Sequence, residues 1–247
     1  MRSVIVIPVL NEEKNILGVL EKTRKVVRHD ERIVVVDNGS TDRTAAIVRE
    51  NFPEIELVTE SERGKGNAVR KGFDKALGHG PEYVIMMDGD GERNPEDIRG
   101  LLEFAEKSGA DMVVGRRDVM RSGTRDFLRR FENWWLRLAT GYDIRDGSSG
   151  FNVIGKEAVR KFDLRTGNFE IEPEIILESR RNKLKVFEHP VSVPEITPTK
   201  VRKSHIRDVN KFFDQWVLEW IGSGECDLPW HKKSFLRVFC SLGLRIF

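Results

Sequence analysis

Cysteine is scarce in this sequence: Cys226 and Cys240 are the only two, and they lack the spacing of a metal-ligand pair. We therefore expect inert thiols in a reducing compartment rather than a disulfide. A run of about 18 apolar residues, the length that a membrane-spanning helix requires, is also missing. The segment that begins at Met1 has no signal-peptide pattern, so we expect a cytoplasmic protein.

The formal net charge is only +2 over 247 residues, which is too small to indicate nucleic acid as a partner. A chain of this length can form one large α/β domain with a sizeable core. Short apolar runs and amphipathic segments alternate regularly between Val4 and Gly115. This alternation predicts a mostly parallel sheet with helices on both faces.

Polar residues follow four of the predicted strands. In parallel α/β sheets, ligands bind beyond the carboxyl ends of the strands, so these groups are expected on one rim. They are Pro8–Glu12, Asp37–Ser40, Asp88–Glu92 and Arg116–Arg117. The sequence therefore predicts a single polar site at this edge of the sheet.

Three acids at alternate positions, Asp88, Asp90 and Glu92, follow the apolar run Tyr83–Met87. In extended backbone, alternate side chains point the same way, so these carboxylates would converge. Converging carboxylates repel unless a cation lies between them, and hard oxygen ligands suit Mg²⁺ or Mn²⁺. The alternative is a solvated acidic turn, because Asp and Gly are common turn residues.

The pattern changes after Arg117. We predict a strand over Ser148–Ile154, a helix over Ile171–Ser179, two short strands at Val186 and Val191–Val193, and a last helix from about Ile206 to Ile221. Residues 1–204 are predicted to form the catalytic domain, and residues 205–247 an amphipathic helix with a basic and aromatic tail.

Four motifs stand in the order found in family-2 glycosyltransferases, which have the GT-A fold. They are Ile7–Glu13, Val36–Asp42, Met87–Asp90 and Gly115–Arg117. Three later stretches resemble the branch of dolichyl-phosphate mannose and glucose synthases. These are Asp146–Phe151, Phe169–Glu174 and Pro190–Ser204, and the whole resemblance covers about residues 3–207.

The resemblance implies roles for the residues that match its motifs. The nucleotide-sugar site would comprise Pro8, Leu10, Glu12, Asp37, Lys65, Asp88, Gly89, Asp90, Arg116, Lys200 and Arg202. Asp88, Asp90 and Glu92 would hold Mg²⁺ or Mn²⁺, and Asp90, Arg116 and Asp146 would be the catalytic residues. Leu10 replaces a frequent aromatic and Asn38 a frequent second Asp, so the base stays open between uracil and guanine.

The implied reaction is inverting transfer of a hexose from a nucleotide sugar, of the GDP-mannose or UDP-glucose type, to polyprenyl or dolichyl phosphate. A phosphate acceptor is already ionised near neutral pH, with a second pKa of about 6, so it has less need of a base. Asp146 would then organise the acceptor side, and it would serve as base toward a hydroxyl. Open alternatives are a glycosyltransferase with a soluble or polysaccharide hydroxyl acceptor, a sugar nucleotidyltransferase and a non-catalytic binding domain.

The last fifty residues, 198–247, contain nine Lys/Arg against five Asp/Glu. Their aromatic residues include Trp216, Trp220, Trp230, Phe235 and Phe239. Basic and aromatic side chains suit a headgroup interface, so we expect a peripheral protein at the inner face of the membrane. These aromatics could instead fold onto the sheet, or contact a membrane-anchored partner subunit or a second copy of the chain.

Overall fold

The computed structural model describes residues 2–118, 124–193, 215–224 and 226–241. Within these residues the strands are β1 (Ser3–Val9), β2 (Arg32–Asp37), β3 (Glu56–Thr59), β4 (Tyr83–Met87), β5 (Met112–Arg117), β6 (Phe151–Gly155) and β7 (Val186–Val191). The helices are α1 (Ile16–Val26), α2 (Thr44–Asn51), α3 (Lys65–Gly78), α4 (Asp97–Ser108), α5 (Thr124–Thr140), α6 (Lys156–Lys161), α7 (Ile171–Arg181), α8 (residues 215–222) and α9 (Trp230–Ser241).

The strands form one sheet in the order β3-β2-β1-β4-β6-β5-β7. Strand β6 is antiparallel to both of its neighbours, and the other pairs are parallel. The prediction of a mostly parallel sheet is therefore confirmed. The carboxyl ends of β1, β2, β4 and β5 share one edge with the beginning of β6, because β6 runs in the opposite direction.

Each strand contributes side chains to two cores, one on each face of the sheet. Val4 and Val6 pack in a core with residues of α3, α5 and α7. Ile5 and Ile7 pack in the opposite core with residues of α1 and α4. Burial on both faces explains why β1, β2, β4 and β5 contain continuous apolar runs rather than alternating patterns.

Two predicted strands differ from the observed ones. The two short strands predicted around Pro190 are one strand, β7, which lies at the sheet edge and pairs with β5. An edge strand tolerates proline because one side of its backbone needs no ladder hydrogen bond. The strand predicted to begin at Ser148 begins at Phe151, since Ser149 N donates to Asp146 O at 3.1 Å and forms a turn before it.

The helix predicted from Ile206 is described only over residues 215–222, and a further helix, α9, follows it. Trp216 and Trp220, on α8, are buried in the core shared with α3 and α7. Trp230 is 78% exposed and Phe235 is 47% exposed, both on α9. The domain boundary predicted at 204/205 lies outside the described residues.

In the described part of the chain, no helix is both long enough and apolar enough to span a bilayer.

Helix α3 lies directly against β1 and β2 at Gly72. A Cβ added there would be 2.2 Å from Val6 Cγ1 and 3.1 Å from Val36 Cγ2. We expect Gly72→Ala to lower the free energy of unfolding by about 1–3 kcal/mol through overpacking, although Ala is the better helix former. Urea denaturation of the purified variant measures this loss.

Gly78, at the exposed end of the same helix, provides the matched control. A Cβ added at Gly78 meets no atom within 4 Å. Gly78→Ala should therefore be neutral or slightly stabilising. Equal stability of the Gly72→Ala and Gly78→Ala variants would contradict direct packing of α3 on the sheet.

Candidate active site

Side chains connect the two loops that follow β1 and β2. Asn11 has a left-handed backbone with φ 56°, and its Oδ1 accepts a hydrogen bond from Thr41 N at 2.8 Å. Asn11 N donates to Ser40 Oγ at 3.0 Å, and Glu12 N donates to Thr44 Oγ1 at 2.8 Å. These bonds fix the rim on which the nucleotide pocket is predicted.

The predicted pocket residues near β1 differ in exposure. Pro8, Glu12 and Gly89 are buried, whereas Leu10 is 40% exposed. A Cβ added at Gly89 would be 2.5 Å from Val9 Cγ1, so the backbone after β4 lies directly against β1. Leu10 therefore presents an exposed apolar side chain on this part of the rim.

Asp37, the last residue of β2, and Asn38, which follows it, have buried side chains. Asp37 Oδ1 accepts from Ser40 N at 3.1 Å. Asn38 Nδ2 donates to Glu62 O at 2.7 Å, and its Oδ1 accepts from Gly64 N at 2.6 Å. A carboxylate could not donate the first of these two bonds. Asparagine at this position therefore connects the end of β2 to the start of α3.

Lys65, the first residue of α3, lies between two carboxylates. Its Nζ is 2.6 Å from Asp88 Oδ1, and it also contacts Glu172 Oε1. Burial alone would lower the pKa of Lys65, but Asp88 and Glu172 together raise it above the ordinary lysine value. Lys65 is therefore held as a cation, and Glu172 on α7 is a site contact that was absent from the predicted set.

Two glycines allow close backbone approach around this pair. Gly64 has φ 134°, and a Cβ added there would be 2.0 Å from Gly167 O. At Gly150, just before β6, an added Cβ would be 1.9 Å from Asp88 Oδ2. Asp88 N also donates to Gly150 O at 3.0 Å. The Asp88 carboxylate thus packs against a backbone position that only glycine fits.

Asp90 shares its surroundings with Asp88 and Glu92. Its Oδ1 accepts from Glu92 N at 2.9 Å. Burial and the negative charges of Asp88 and Glu92 raise the pKa of Asp90 to about 6. A desolvated carboxylate among like charges is stabilised by a nearby cation.

These acids fit a divalent metal in a restricted way. Within the described residues, no three His, Cys, Asp or Glu side chains are arranged as a ready metal site. Mg²⁺ often takes only one or two protein carboxylates and completes its coordination with substrate phosphates. Asp88 and Asp90 suit that pattern, and the metal role of Asp88, Asp90 and Glu92 stays a prediction.

Asp146, which lies in the loop before β6, is buried in a two-pronged pair with Arg117. Arg117 Nε donates to Asp146 Oδ2 and Arg117 Nη2 to Asp146 Oδ1, both at 2.8 Å. Arg117 Nη1 is 3.9 Å from Glu92 Oε2. Burial opposes ionisation, but the hydrogen bonds from Arg117 hold the pKa of Asp146 below its ordinary value.

Arg116, which was predicted to face the diphosphate, has other partners. Its Nε is 2.7 Å from Asp118 Oδ1, and its Nη1 is 3.8 Å from Glu188 Oε2. Successive side chains of a strand point to opposite faces, which explains why Arg116 and Arg117 diverge on β5. That alternation is the sequence signal that could have singled out Arg117. The roles predicted for Arg116 stay predictions.

Glu188 on β7 supports the loop that carries Asp146. Its Oε1 accepts from Arg145 N at 2.7 Å and from Asp146 N at 2.8 Å. Burial raises the pKa of Glu188. This contact could not be predicted from sequence, because it joins two segments that are distant along the chain.

Arg93 is a further cation of the cluster that the sequence analysis did not single out. It is 4% exposed, and none of the described residues accepts a hydrogen bond from its Nε or Nη1. Burial and the charge of Arg117 lower the pKa of Arg93, while Asp88, Asp146 and Asp90 oppose that shift. Arg93 therefore interacts electrostatically with Asp88, Asp90 and Asp146, but its Nε and Nη1 make no hydrogen bond to any described residue.

The structure thus gathers several of the predicted residues into one charged cluster, in which Asp146 is buried and the others are half-buried. Lys65 interacts electrostatically with Asp88, and Asp90 interacts with Asp88 and Glu92. Arg117 connects Asp146 to Asp88 and Glu92. Lys200 and Arg202 lie outside the described residues. The binding and catalytic roles of all the predicted site residues remain predictions.

The chain matches the model of a known protein family. The family model "Glycosyl transferase family 2" matches residues 4–166, and the chain belongs to that family. The chain is 27% identical over 231 residues to a polyprenol monophosphomannose synthase from Mycolicibacterium smegmatis, covering 87% of this chain and 86% of the relative. It is 28% identical over 225 residues to a dolichyl-phosphate beta-glucosyltransferase from Trichomonas vaginalis, covering 81% and 68%.

The architecture also resembles a solved structure of glucosyl-3-phosphoglycerate synthase from Mycobacterium tuberculosis. That enzyme was solved with Mn²⁺, UDP-glucose and phosphoglyceric acid. The TM-score is 0.67 at 17% identity, and the match covers 92% of this chain and 80% of the other. At this identity the likeness supports the fold alone. The predictions of a family-2 glycosyltransferase and of a GT-A fold are confirmed.

Replacing Glu188 tests the support of the Asp146 loop. Glu188→Ala leaves Arg145 N and Asp146 N without their acceptor, so we expect the free energy of unfolding to fall by about 1–3 kcal/mol. Glu188→Gln keeps an oxygen that can accept both bonds, and it should retain most of the stability. Chemical denaturation compares the two, and an equal loss in both variants would rule out the backbone contacts as the cause.

Proposed function

We propose that the chain catalyses inverting, metal-dependent transfer of a hexose from a nucleotide sugar to a polyprenyl or dolichyl phosphate. The proposal depends above all on the Asp146–Arg117 pair. Both oxygens of Asp146 already accept hydrogen bonds from Arg117. A carboxylate that is held in this way is a poor proton acceptor, because its ionised form is stabilised.

An occupied Asp146 favours a phosphate acceptor over a hydroxyl. A hydroxyl nucleophile needs a general base, whereas a phosphate monoester brings its own negative charge at neutral pH. In this reaction the acceptor oxygen attacks the anomeric carbon while the bond to the nucleotide diphosphate breaks. Asp146 then holds Arg117 in place beside the acceptor rather than removing a proton.

The donor side is assigned to the edge formed by β1, β2 and β4. Asp37 would lie near the base and Asp88 near the ribose and the metal, as the family resemblance implies. Lys65 remains cationic between Asp88 and Glu172, so it supplies positive charge next to the predicted diphosphate position. A divalent metal held by Asp88 and Asp90 would stabilise negative charge on the leaving diphosphate.

Related proteins support the acceptor class and leave the donor open. One relative is named as a polyprenol monophosphomannose synthase and another as a dolichyl-phosphate beta-glucosyltransferase. Both names contain a lipid phosphate, but the sugars differ. The donor is therefore proposed as a GDP-mannose or UDP-glucose type, and Mn²⁺ in the solved neighbour makes Mn²⁺ a metal to test beside Mg²⁺.

Asp90→Asn tests the metal-dependent reaction. The amide keeps the shape of the side chain and removes its charge, so transfer should fall by about two orders of magnitude, comparable to the loss of another group that stabilises transition-state charge. The assay measures nucleoside diphosphate released from UDP-glucose, GDP-mannose and UDP-N-acetylglucosamine with a short polyprenyl phosphate and Mn²⁺ or Mg²⁺. Chelation of the metal with EDTA should produce a similar loss.

Asp74→Asn is the matched control, since Asp74 is exposed on α3. It should retain wild-type transfer. Full activity of Asp90→Asn in the presence of metal would show that Asp90 is not required for the reaction. A wild-type protein that uses a soluble hydroxyl acceptor and ignores polyprenyl phosphate would overturn the proposed acceptor.

We further propose that the protein works at the inner face of the membrane, where a polyprenyl phosphate presents its head group. Trp230 and Phe235 on α9 are exposed, and Lys232 and Lys233 lie in the same helix. Trp216 and Trp220 are buried in the core, so their side chains do not form part of a lipid-contacting surface. The surface proposed for lipid contact is therefore α9 rather than the whole tail.

Binding to vesicles of phosphatidylcholine and phosphatidylglycerol tests the surface of α9. The double variant Trp230→Ser, Phe235→Ser should sediment with vesicles less than wild type does, and added salt should weaken wild-type binding because basic residues contribute about 1 kcal/mol each. Leu17→Ser, which changes an exposed apolar residue on α1, is the control and should bind normally. Identical sedimentation of all three proteins would refute a role for α9.

A further inference from the structure

Arg93 differs from the other two cations of the charged cluster. Lys65 contacts two carboxylates, and Arg117 makes a two-pronged pair with Asp146. Arg93 is more deeply buried than either of them, yet none of the described residues accepts a hydrogen bond from its Nε or Nη1. Buried polar groups are normally hydrogen-bonded, so unfilled donors on a buried charge need an explanation.

We propose that Arg93 is a phosphate-binding residue whose unfilled N–H donors bind the oxygens of a phosphate-bearing ligand. This inference rests on the proposed function, in which both the nucleotide diphosphate and the acceptor monophosphate carry such oxygens. Arginine binds phosphate through charge-assisted hydrogen bonds, and its planar group holds the donors in fixed directions. The proposal therefore assigns a ligand contact to a side chain outside the motifs that carry the family resemblance.

The surrounding carboxylates leave Arg93 available for that ligand. Asp146 uses both oxygens on Arg117, and Asp88 Oδ1 faces Lys65. The charges of Asp88, Asp146 and Asp90 offset only part of the cost that burial and Arg117 impose on the Arg93 cation. The oxygens of a bound phosphate would accept the hydrogen bonds that Arg93 Nε and Nη1 lack.

A purely structural arginine would behave differently from a ligand-binding one. Loss of a structural arginine destabilises the protein, because its partners are left unpaired. Loss of a buried cation with unfilled donors removes an unfavourable group instead, so stability should stay level or rise. The sign of the stability change therefore distinguishes the two roles.

The test compares wild type with Arg93→Met and Arg93→Lys. Binding of UDP and GDP with Mg²⁺, and of farnesyl phosphate, is measured by calorimetry, and the unfolding midpoint is measured without ligand. We expect Arg93→Met to bind one of these ligands about ten- to a hundredfold more weakly, with an unchanged or higher midpoint. Arg93→Lys should restore part of the binding, because it returns the charge but not the planar group.

Arg160→Gln is the control. Arg160 pairs with Glu157 on α6, which begins after the last residue of β6, at the end of the sheet where β4 starts. It should bind every ligand as wild type does. Weaker nucleotide binding in Arg93→Met assigns Arg93 to the donor diphosphate, and weaker farnesyl phosphate binding assigns it to the acceptor. Unchanged binding of both ligands overturns the proposal, as does unfolding of both the Met and Lys variants.

Failure of the proposed function is recognised separately. If wild type transfers no sugar from any nucleotide sugar, the proposed function is wrong. Pyrophosphate then replaces the nucleotides as the probe, and its effect on the unfolding midpoint still tests Arg93. Protection of wild type that Arg93→Met lacks would support the phosphate site, and equal behaviour of the two proteins would overturn it.

Discussion

Charges buried at one edge of the sheet have to be paired, and this requirement organises the site. Moving an ion from water into a protein interior costs roughly several kcal/mol, unless groups of opposite charge or hydrogen bonds compensate for the lost hydration. Lys65 forms ion pairs with Asp88 and Glu172, and Arg117 forms an ion pair with Asp146. Each pair joins elements that are far apart in the chain, so pairing the charges also fixes the positions of α3, α7, β5 and the loop before β6.

The antiparallel strand β6 makes this arrangement possible. It lies between β4 and β5, where a purely parallel sheet would place those two strands side by side. Its reversed direction brings the loop of residues 146–150 to the same edge as the ends of β4 and β5. Gly150 then lies against Asp88, and Asp146 lies against Arg117. The Glu188 carboxylate on β7 holds this loop from the other side through two backbone N–H groups.

Much of the fold was predictable because its signals are local. Strands β1, β2, β4 and β5 contain short apolar runs buried on both faces, and the acids Asp88 and Asp90 directly follow β4. The contacts of Glu172, Glu188 and Arg93 were not predictable, because they depend on the insertion of β6 and on segments that meet only after folding. Arg117 was a partial exception, since the alternation of side chains along β5 separates it from Arg116.

The chemistry of the site follows from which charges are already satisfied. Asp146 has both oxygens engaged by Arg117, which lowers its pKa and makes it a poor proton acceptor. Asp88 shares the Lys65 cation with Glu172. The less satisfied groups are Asp90, whose pKa is raised to about 6 among like charges, and Arg93, whose Nε and Nη1 have no acceptor among the described residues. Asp90 would be stabilised by a cation such as a metal ion, and Arg93 would be stabilised by an anion such as a phosphate. Together they suit a metal-bound phosphate ligand better than they suit a proton-transfer site.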